Sequence, residues 1–295
     1  MAPPPSTLRV QALLEFDLPS APQRIDALPV AVPGVEVCRI HAPAGRFLLI
    51  CAEGALAVAF EATLFDLLAE SRYPAPRPRR AKGGALIAKL KRDGGPAAAA
   101  CYALGSGESV EPARANTPQL LDLGRLLARL HQIGEAHPAS VPPPVSGGDL
   151  ASRLPAGPDA EQLAPVLRQD LSAMPAGAAH GRLGPEQAMY IGDRCASVLP
   201  SGEAHSGPLV LDLARAVCAW ATAAVEPLPA LRAVVSGYQA LRRLIPEERD
   251  GLYEALRCAA AHEGACRLLS SHADPLAALR AMEDLGEKEV RAATG

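Results

Sequence analysis

Through the first hundred residues the apolar positions fall in short blocks of the kind that suits strands. VEVCRI (35–40) and RFLLICA (46–52) flank the turn HAPAG, where Gly45 fits hairpin chemistry. AVAFEATLFDLLAES (57–71) instead spaces its apolar residues for a helix, and VQALLEF (10–16) predicts a shorter one. SRYPAPRP (71–78) follows, its alternating prolines forcing an extended path. ALIAKLK (85–91) and AAAACYAL (97–104) predict two further strands around the turn RDGGP.

After the loop GSGES (105–109) the period changes to helical. Thr117-Pro118 predicts an N-cap and first turn for PQLLDLGRLLARLHQIG, with Leu120, Leu123, Leu127 and Leu130 on one face. Residues 134–158, rich in Pro, Gly and Ser, predict a surface excursion, and AEQLAPVLRQDLSAM (160–174) another helix. The stretch 177–220 predicts a short strand, a loop headed by His180, a two-strand turn at Gly192-Asp193 and a helix from about Asp212. LPALRAVVSGYQALRRL (228–244), the run 246–271 and DPLAALRAMEDLGEKEVRAA (274–293) complete a helical remainder. A β-rich first third followed by helices predicts an α+β, two-lobed chain, with lobes at 1–104 and 105–295.

Composition narrows the function classes. A chain of 295 residues with formal net charge −3 has no basic footprint for nucleic acid. MAPPPSTLRV shows no secretory leader pattern, and the longest apolar stretch, 47–60, is too short for a membrane span and carries Glu53. Seven cysteines at irregular spacing predict buried reduced thiols, so a bacterial-type cytoplasm is expected.

Four stretches carry a family resemblance. YPAPRP (73–78) is similar to a G-x-P-V-P-x-P segment, and LGRLLARLHQIG (123–134) to an L-G-x-x-L-A-x-L-H helix. GYQALRRLIPEERDGLYEALRCAAAHEGACRLL (237–269) is similar to a G-Y-Q-x-x-R-P-L tail, and 180–220 aligns without gaps to a catalytic region. Together they resemble the aminoglycoside phosphotransferase/choline kinase superfamily, above all its bacterial homoserine kinase branch. The resemblance implies a protein-kinase-like fold, with a small β-rich N-lobe and a large helical C-lobe, and ATP- and Mg²⁺-dependent phosphoryl transfer.

That chemistry takes a base two residues after the loop histidine, an Asn five residues further on and a metal-binding Asp on the next strand. The same register places Arg182, Gln187 and Pro200 there, so the loop 180–200 is degenerate. A guanidinium accepts no proton, a Gln amide lies one methylene out of place, and Pro offers no ligand. His180 is expected to brace the loop backbone. Glu203 is the nearest carboxylate that could replace a lost ligand; Asp193 is expected at a solvent-facing turn and Asp212 capping its own helix. Gln187 and Glu203 are the remaining candidates for contact with a nucleotide.

The strand 47–51 lacks the phosphate-contacting Lys, which leaves Glu61 either partnerless or simply solvated. Cys258, His262 and Cys266 share a helix face, but their axial spread of about 12 Å argues against one metal ion. His131 is expected in packing or in a C-terminal hydrogen bond, and Arg77, Arg79, Arg80 and Lys82 in a solvated turn, with anion binding as the alternative. No metal and no resident cofactor are therefore expected. The leading expectation is a pseudokinase whose cleft or surface binds a metabolite or a protein. The alternatives are an active ATP- and Mg²⁺-dependent kinase with relocated ligands, and a scaffold with no small ligand.

Overall fold

The structure, a computed structural model, describes residues 7–28, 34–92, 95–137, 140, 141, 143, 145–270 and 274–294. The expected turn at RDGGP lies partly outside them. The chain opens with α1 (Thr7–Glu15), β1 (Arg24–Leu28), the hairpin β2 (Val35–Ala42) and β3 (Gly45–Glu53), and α2 (Ala55–Glu70). Then come β4 (Pro78–Arg79), β5 (Ala88–Arg92) and β6 (Gly95–Ala103). The antiparallel order is β1-β2-β3-β6, and the far edge of β6 is shared by β4 and β5.

Both faces of this sheet are covered, which explains the unbroken apolar runs of β3 and β6. Phe47, Leu49 and Cys51 turn to one side, where they meet Leu8, Ala12 and Phe16 from the α1 segment. Leu48 and Ile50 turn to the other and pack with Phe60, Leu64, Phe65 and Leu68 of α2.

A hinge segment carrying β7 (Glu108–Ser109) leads to the helical lobe: α3 (Thr117–Gly134), α4 (Gly147–Arg153) and α5 (Pro158–Leu167). The strands β8 (Ala176–Ala179), β9 (Ala188–Ile191), β10 (Arg194–Val198) and β11 (His205–Pro208) follow. The helices α6 (Leu209–Ala221), α7 (Pro227–Gln239), α8 (Pro246–Leu269), α9 (Ala277–Leu285) and α10 (Glu287–Ala293) complete it. The β8–β11 pair ties the start of the His180 loop to the segment entering α6, while β9–β10 forms the hairpin at Gly192-Asp193 and takes β7 on its edge.

Several local expectations are corrected. Asn116, not Thr117, caps α3, through a capping box with Gln119 whose amide also holds Gly192 O. The excursion at 134–158 contains α4, anchored by buried Leu150 and Ala151. α5 stops at Leu167 rather than running to Met174, and the last helix divides at Gly286, whose φ of 73° a continuous helix does not allow. Arg77 and Arg80 make surface pairs with Asp66 and Arg79 donates to Asp17 O above the Phe47 ring, while Arg77, Arg80 and Lys82 stay exposed, so the solvated turn is as expected. All seven cysteines are free and buried. Among the described residues no helix is long and apolar enough to cross a membrane.

Candidate functional site

The site is organised by Asp212. Its carboxylate accepts from the His180 and Gly181 backbone N–H groups, each at 2.8 Å, and from His131 Nε2 at 2.9 Å. Burial alone would raise this carboxyl; the hydrogen bonds from His131 and from the His180 backbone hold it well below the usual carboxylate range. Asp212 therefore caps the loop rather than its own helix. His131, in the last turn of α3, is packed in the interior as expected and links Asp212 to Tyr238, its Nδ1 lying 2.7 Å from the Tyr238 hydroxyl. The chain continues through Arg242, which donates to that hydroxyl and pairs with Glu248.

His180 bonds the backbone of both neighbouring loops. A carbonyl only accepts, so its Nε2–H donates to Leu199 O at 2.8 Å, leaving Nδ1 to receive the Arg182 N–H at 3.3 Å. Burial lowers its pKa, in keeping with this neutral ring. Gly181, at φ +83°, passes so close to Glu203 O that any Cβ would collide with it. Ser201 Oγ donates to His180 O, so the loops 180–187 and 199–204 are stitched side by side.

Glu61 reaches this pair of loops from α2. It is 1% exposed, not solvated, and Oε1 accepts from Ser201 N and Gly202 N, each at 2.9 Å. The helix acid thus supports the second loop, the task left to it when no lysine is present on β3. Asp193 faces outward and accepts from Asn116 Nδ2.

Arg182, Gln187 and Pro200 line the wall of a 70 Å³ cavity between the lobes, shared with Val37, Arg39 and Leu48. Gln187 Oε1 is buried there without a hydrogen-bond partner among the described residues. Arg182 Nη1 lies 3.3 Å from Glu203 Oε1. Burial pushes the Glu203 carboxyl up, while Arg182 and Arg215 pull it back. Mg²⁺ asks for anionic oxygens in near-octahedral array. These positions supply one neutral amide, no oxygen from the Pro200 side chain, and a guanidinium already against Glu203. No cluster of three His, Cys, Asp or Glu side chains suited to a metal occurs among the described residues. The donor set does not fit a divalent cation.

Arg182 also lines a second, 430 Å³ cavity on the helical side, with Glu186, Glu203, Arg215, His262 and Cys266. Arg215 donates to Gly181 O at 3.0 Å and, since a guanidinium only donates, to His262 Nδ1 at 3.4 Å. Its Nε is buried with no partner, and no ion pair of Arg215 occurs among the described residues. Burial, then Arg215, lowers the His262 pKa well below the usual value, so the ring is neutral and presents Nε2–H. Cys258 turns instead to Val166 O, which separates the three-residue helix face considered as a metal set.

Three residues that line the cavities are not marked by the sequence pattern. Arg39 lies on β2, whereas the family register points to a cation on β3 or in the segment 55–60. Arg215 and Glu186 acquire meaning only once the loops surround the larger cavity. The signal for Arg39 was a charged residue two positions from Val37 on an otherwise apolar strand face.

No family model matches the chain. It is 31% identical over 261 residues to a homoserine kinase of Rhodopseudomonas palustris strain BisB18, covering 81% of this chain and 77% of that protein. A homoserine kinase of strain BisA53 is 28% identical over the same coverage. Among solved structures, the amicoumacin kinase hAmiN, in complex with AMP-PNP, Ca²⁺ and Ami, superposes with a TM-score of 0.72 over 96% of this chain and 92% of its own, at 14% identity. A microcompartment-associated aminopropanol kinase gives 0.58 at 15% identity over 96% and 93% of the two chains. With the two-lobed kinase-like fold beneath it, identity at this level over 81% of its length makes the chain a member of the homoserine kinase family.

Proposed function

We propose that this member of the homoserine kinase family no longer transfers phosphate and serves as a binding protein for a small amino-acid-class metabolite. The observation that carries the reading is the convergence of Arg182, Gln187 and Pro200 on one cavity wall, with Arg182 tied to Glu203. A guanidinium at the base position cannot take the acceptor hydroxyl's proton. Loss of one positioned acid–base group costs roughly 10²–10⁴ in rate, and the metal ligands are gone as well.

The larger cavity supports the ligand class. Its 430 Å³ falls within the usual span of small-molecule sites, roughly 300–1,000 Å³. Arg182 is paired with Glu203 and Arg267 with Glu263. Arg215 and Glu186, which line the same cavity, have no ion pair among the described residues. One free cation and one free anion in a common cavity suit a zwitterion, its carboxylate to Arg215 and its ammonium to Glu186.

Homoserine, the substrate that names the two relatives, is the first ligand to test. The purified chain, given ATP, Mg²⁺ and homoserine, is expected to release no ADP above background, while calorimetry detects homoserine binding that Ala223→Trp, which fills the cavity, removes. Turnover at an ordinary kinase rate, on homoserine or another amino alcohol, overturns the reading.

A further inference from the structure

The mismatch between the cleft and a divalent cation has a positive side. Arg39 lies on the inner face of the N-lobe sheet, where its neighbours Val37, Leu48 and Ile50 are buried hydrophobic residues. A cation in that place adds nothing to the core and is expensive to desolvate without a partner. No ion pair of Arg39 occurs among the described residues. From the opposite lobe Arg182 lines the same 70 Å³ cavity, so two guanidinium groups face one space from two sides.

That space has a continuation. Arg39 and Leu199 also line a 190 Å³ cavity running along the hinge past Gly105, Gly107, Glu108 and Ser109. Arg46 stands at its edge, donating to Gly105 O at 3.3 Å and likewise without an ion pair among the described residues. The carboxylates on these two walls are Glu186 and Glu108, and neither has an ion pair among the described residues. With Arg182 already sharing its charge with Glu203, Arg39 and Arg46 equal Glu186 and Glu108 in number, and Arg39 and Arg182 are the two cations that face the space where the family reaction has phosphates and a metal ion. Guanidinium forks match phosphate oxygens bidentately and keep their charge at any physiological pH.

We propose that the interlobe cleft binds a di- or triphosphate anion without any divalent cation, with Arg39 and Arg182 as the countercharge. The inference rests on the reading above that the metal ligands have been lost, and adds that the phosphate site was rebuilt rather than abandoned. Arg182 then has a role on either face: it holds Glu203 toward the larger cavity and meets phosphate oxygens toward the cleft. Gln187 Oε1, an acceptor, is not placed to coordinate the anion and contributes only its amide N–H₂.

Calorimetric titration of the full chain tests this with ATP and with inorganic pyrophosphate, each in EDTA and in excess Mg²⁺. Binding in EDTA is expected, with Mg²⁺ leaving it unchanged or weakening it as the ion competes with guanidinium for the same oxygens. Arg39→Leu and Arg182→Leu should each weaken it at least about tenfold, with Arg39→Lys restoring part of the loss through charge alone. Circular dichroism of each variant confirms an intact fold. Pyrophosphate binding as well as ATP assigns the site to the phosphates; binding of ATP alone assigns it to a nucleotide, and both support the proposal. No binding of either probe in EDTA, binding that appears only with Mg²⁺, or binding unchanged in both leucine variants overturns it. Failure here is separable from failure of the function proposed above. Mg²⁺-dependent binding with phosphoryl transfer sinks both, absence of binding without transfer sinks only this one, and transfer with intact metal-free binding sinks only the other.

Discussion

Glu61 holds the second loop in place with a carboxyl that burial pushes up to about 7, against the opposing hydrogen bonds of Gly202 and Ser201. In an unfolded chain a glutamate titrates near 4.3. Between those values the folded protein keeps a proton that the unfolded chain has released. The contribution is thus full below about pH 4 and declines as pH rises through 7, over a range on the order of 3 kcal/mol. Glu61→Gln keeps an oxygen for both N–H groups and has nothing to titrate. The urea midpoint of the variant should therefore fall less than that of the parent between pH 5 and pH 8; equal slopes refute the assignment. The sequence made half of this legible: it marked Glu61 as the helix acid without a lysine, but not what the acid would hold. His180, Arg182, Gln187 and Pro200 were readable because a fixed spacing from one histidine places all of them. Asp212 was misjudged because its bonds run to residues 31 and 32 positions earlier, and nothing local distinguishes such a carboxylate from a helix cap.

At the level of elements, α3 and α7 approach through two glycines. A Cβ on Gly124 would collide with Val234 O and stand 2.7 Å from Tyr238 N, and one on Gly237 would collide with Leu121 O. The contact is backbone to backbone, so no rotamer change relieves it. Gly124→Ala and Gly237→Ala should each destabilise the chain by about 2–3 kcal/mol, seen as a lower denaturant midpoint at unchanged slope. Gly148→Ala, whose Cβ would meet only Ser146 Oγ at 3.7 Å, is the control and should be neutral or stabilising by about 0.4–1 kcal/mol. Equal effects at all three positions would mean that helix propensity, not this approach, sets the result. The same helices show what the hydrophobic pattern can carry. The leucine stripe of α3 was plain, since Leu120, Leu123, Leu127 and Leu130 are all buried. Its start was displaced by one residue because Asn116 and Thr117 are both good caps, and only the capping box with Gln119 separates them. α4 was lost inside a Pro-rich stretch because a seven-residue helix has too few turns to show a period.

Across the whole molecule the lobes are joined by direct protein contacts. Glu61 crosses to Ser201 and Gly202, Val198 N donates to Pro74 O at 2.6 Å, Arg129 donates to Ser71 O, and His137 Nε2 bonds Phe60 O. One apolar core runs through both lobes, taking in Ile50 and Phe65 on one side and Leu123 and Trp220 on the other. A kinase that closes on its nucleotide needs its lobes free to move; on the function proposed above, this chain has no such demand. The two lobes should therefore unfold in one transition, although a chain of 295 residues exceeds the usual limit of about 150 for that behaviour. Two reporters are built in. Trp220, the chain's one tryptophan, is fully buried in the helical lobe, and Cys38, Cys51 and Cys101 are buried in the N-lobe sheet. Burial raises all three thiols, Cys51 and Cys101 to about 12, so they resist labelling until the sheet opens. Trp220 fluorescence and pulsed labelling of those three cysteines, followed across one urea series, should share a midpoint. A sheet that labels at lower urea than the tryptophan transition would mean that the interlobe bonds do not couple the lobes. In that case Glu61→Ala should leave the tryptophan midpoint where it was; coupled lobes require it to move the fluorescence and labelling midpoints down together.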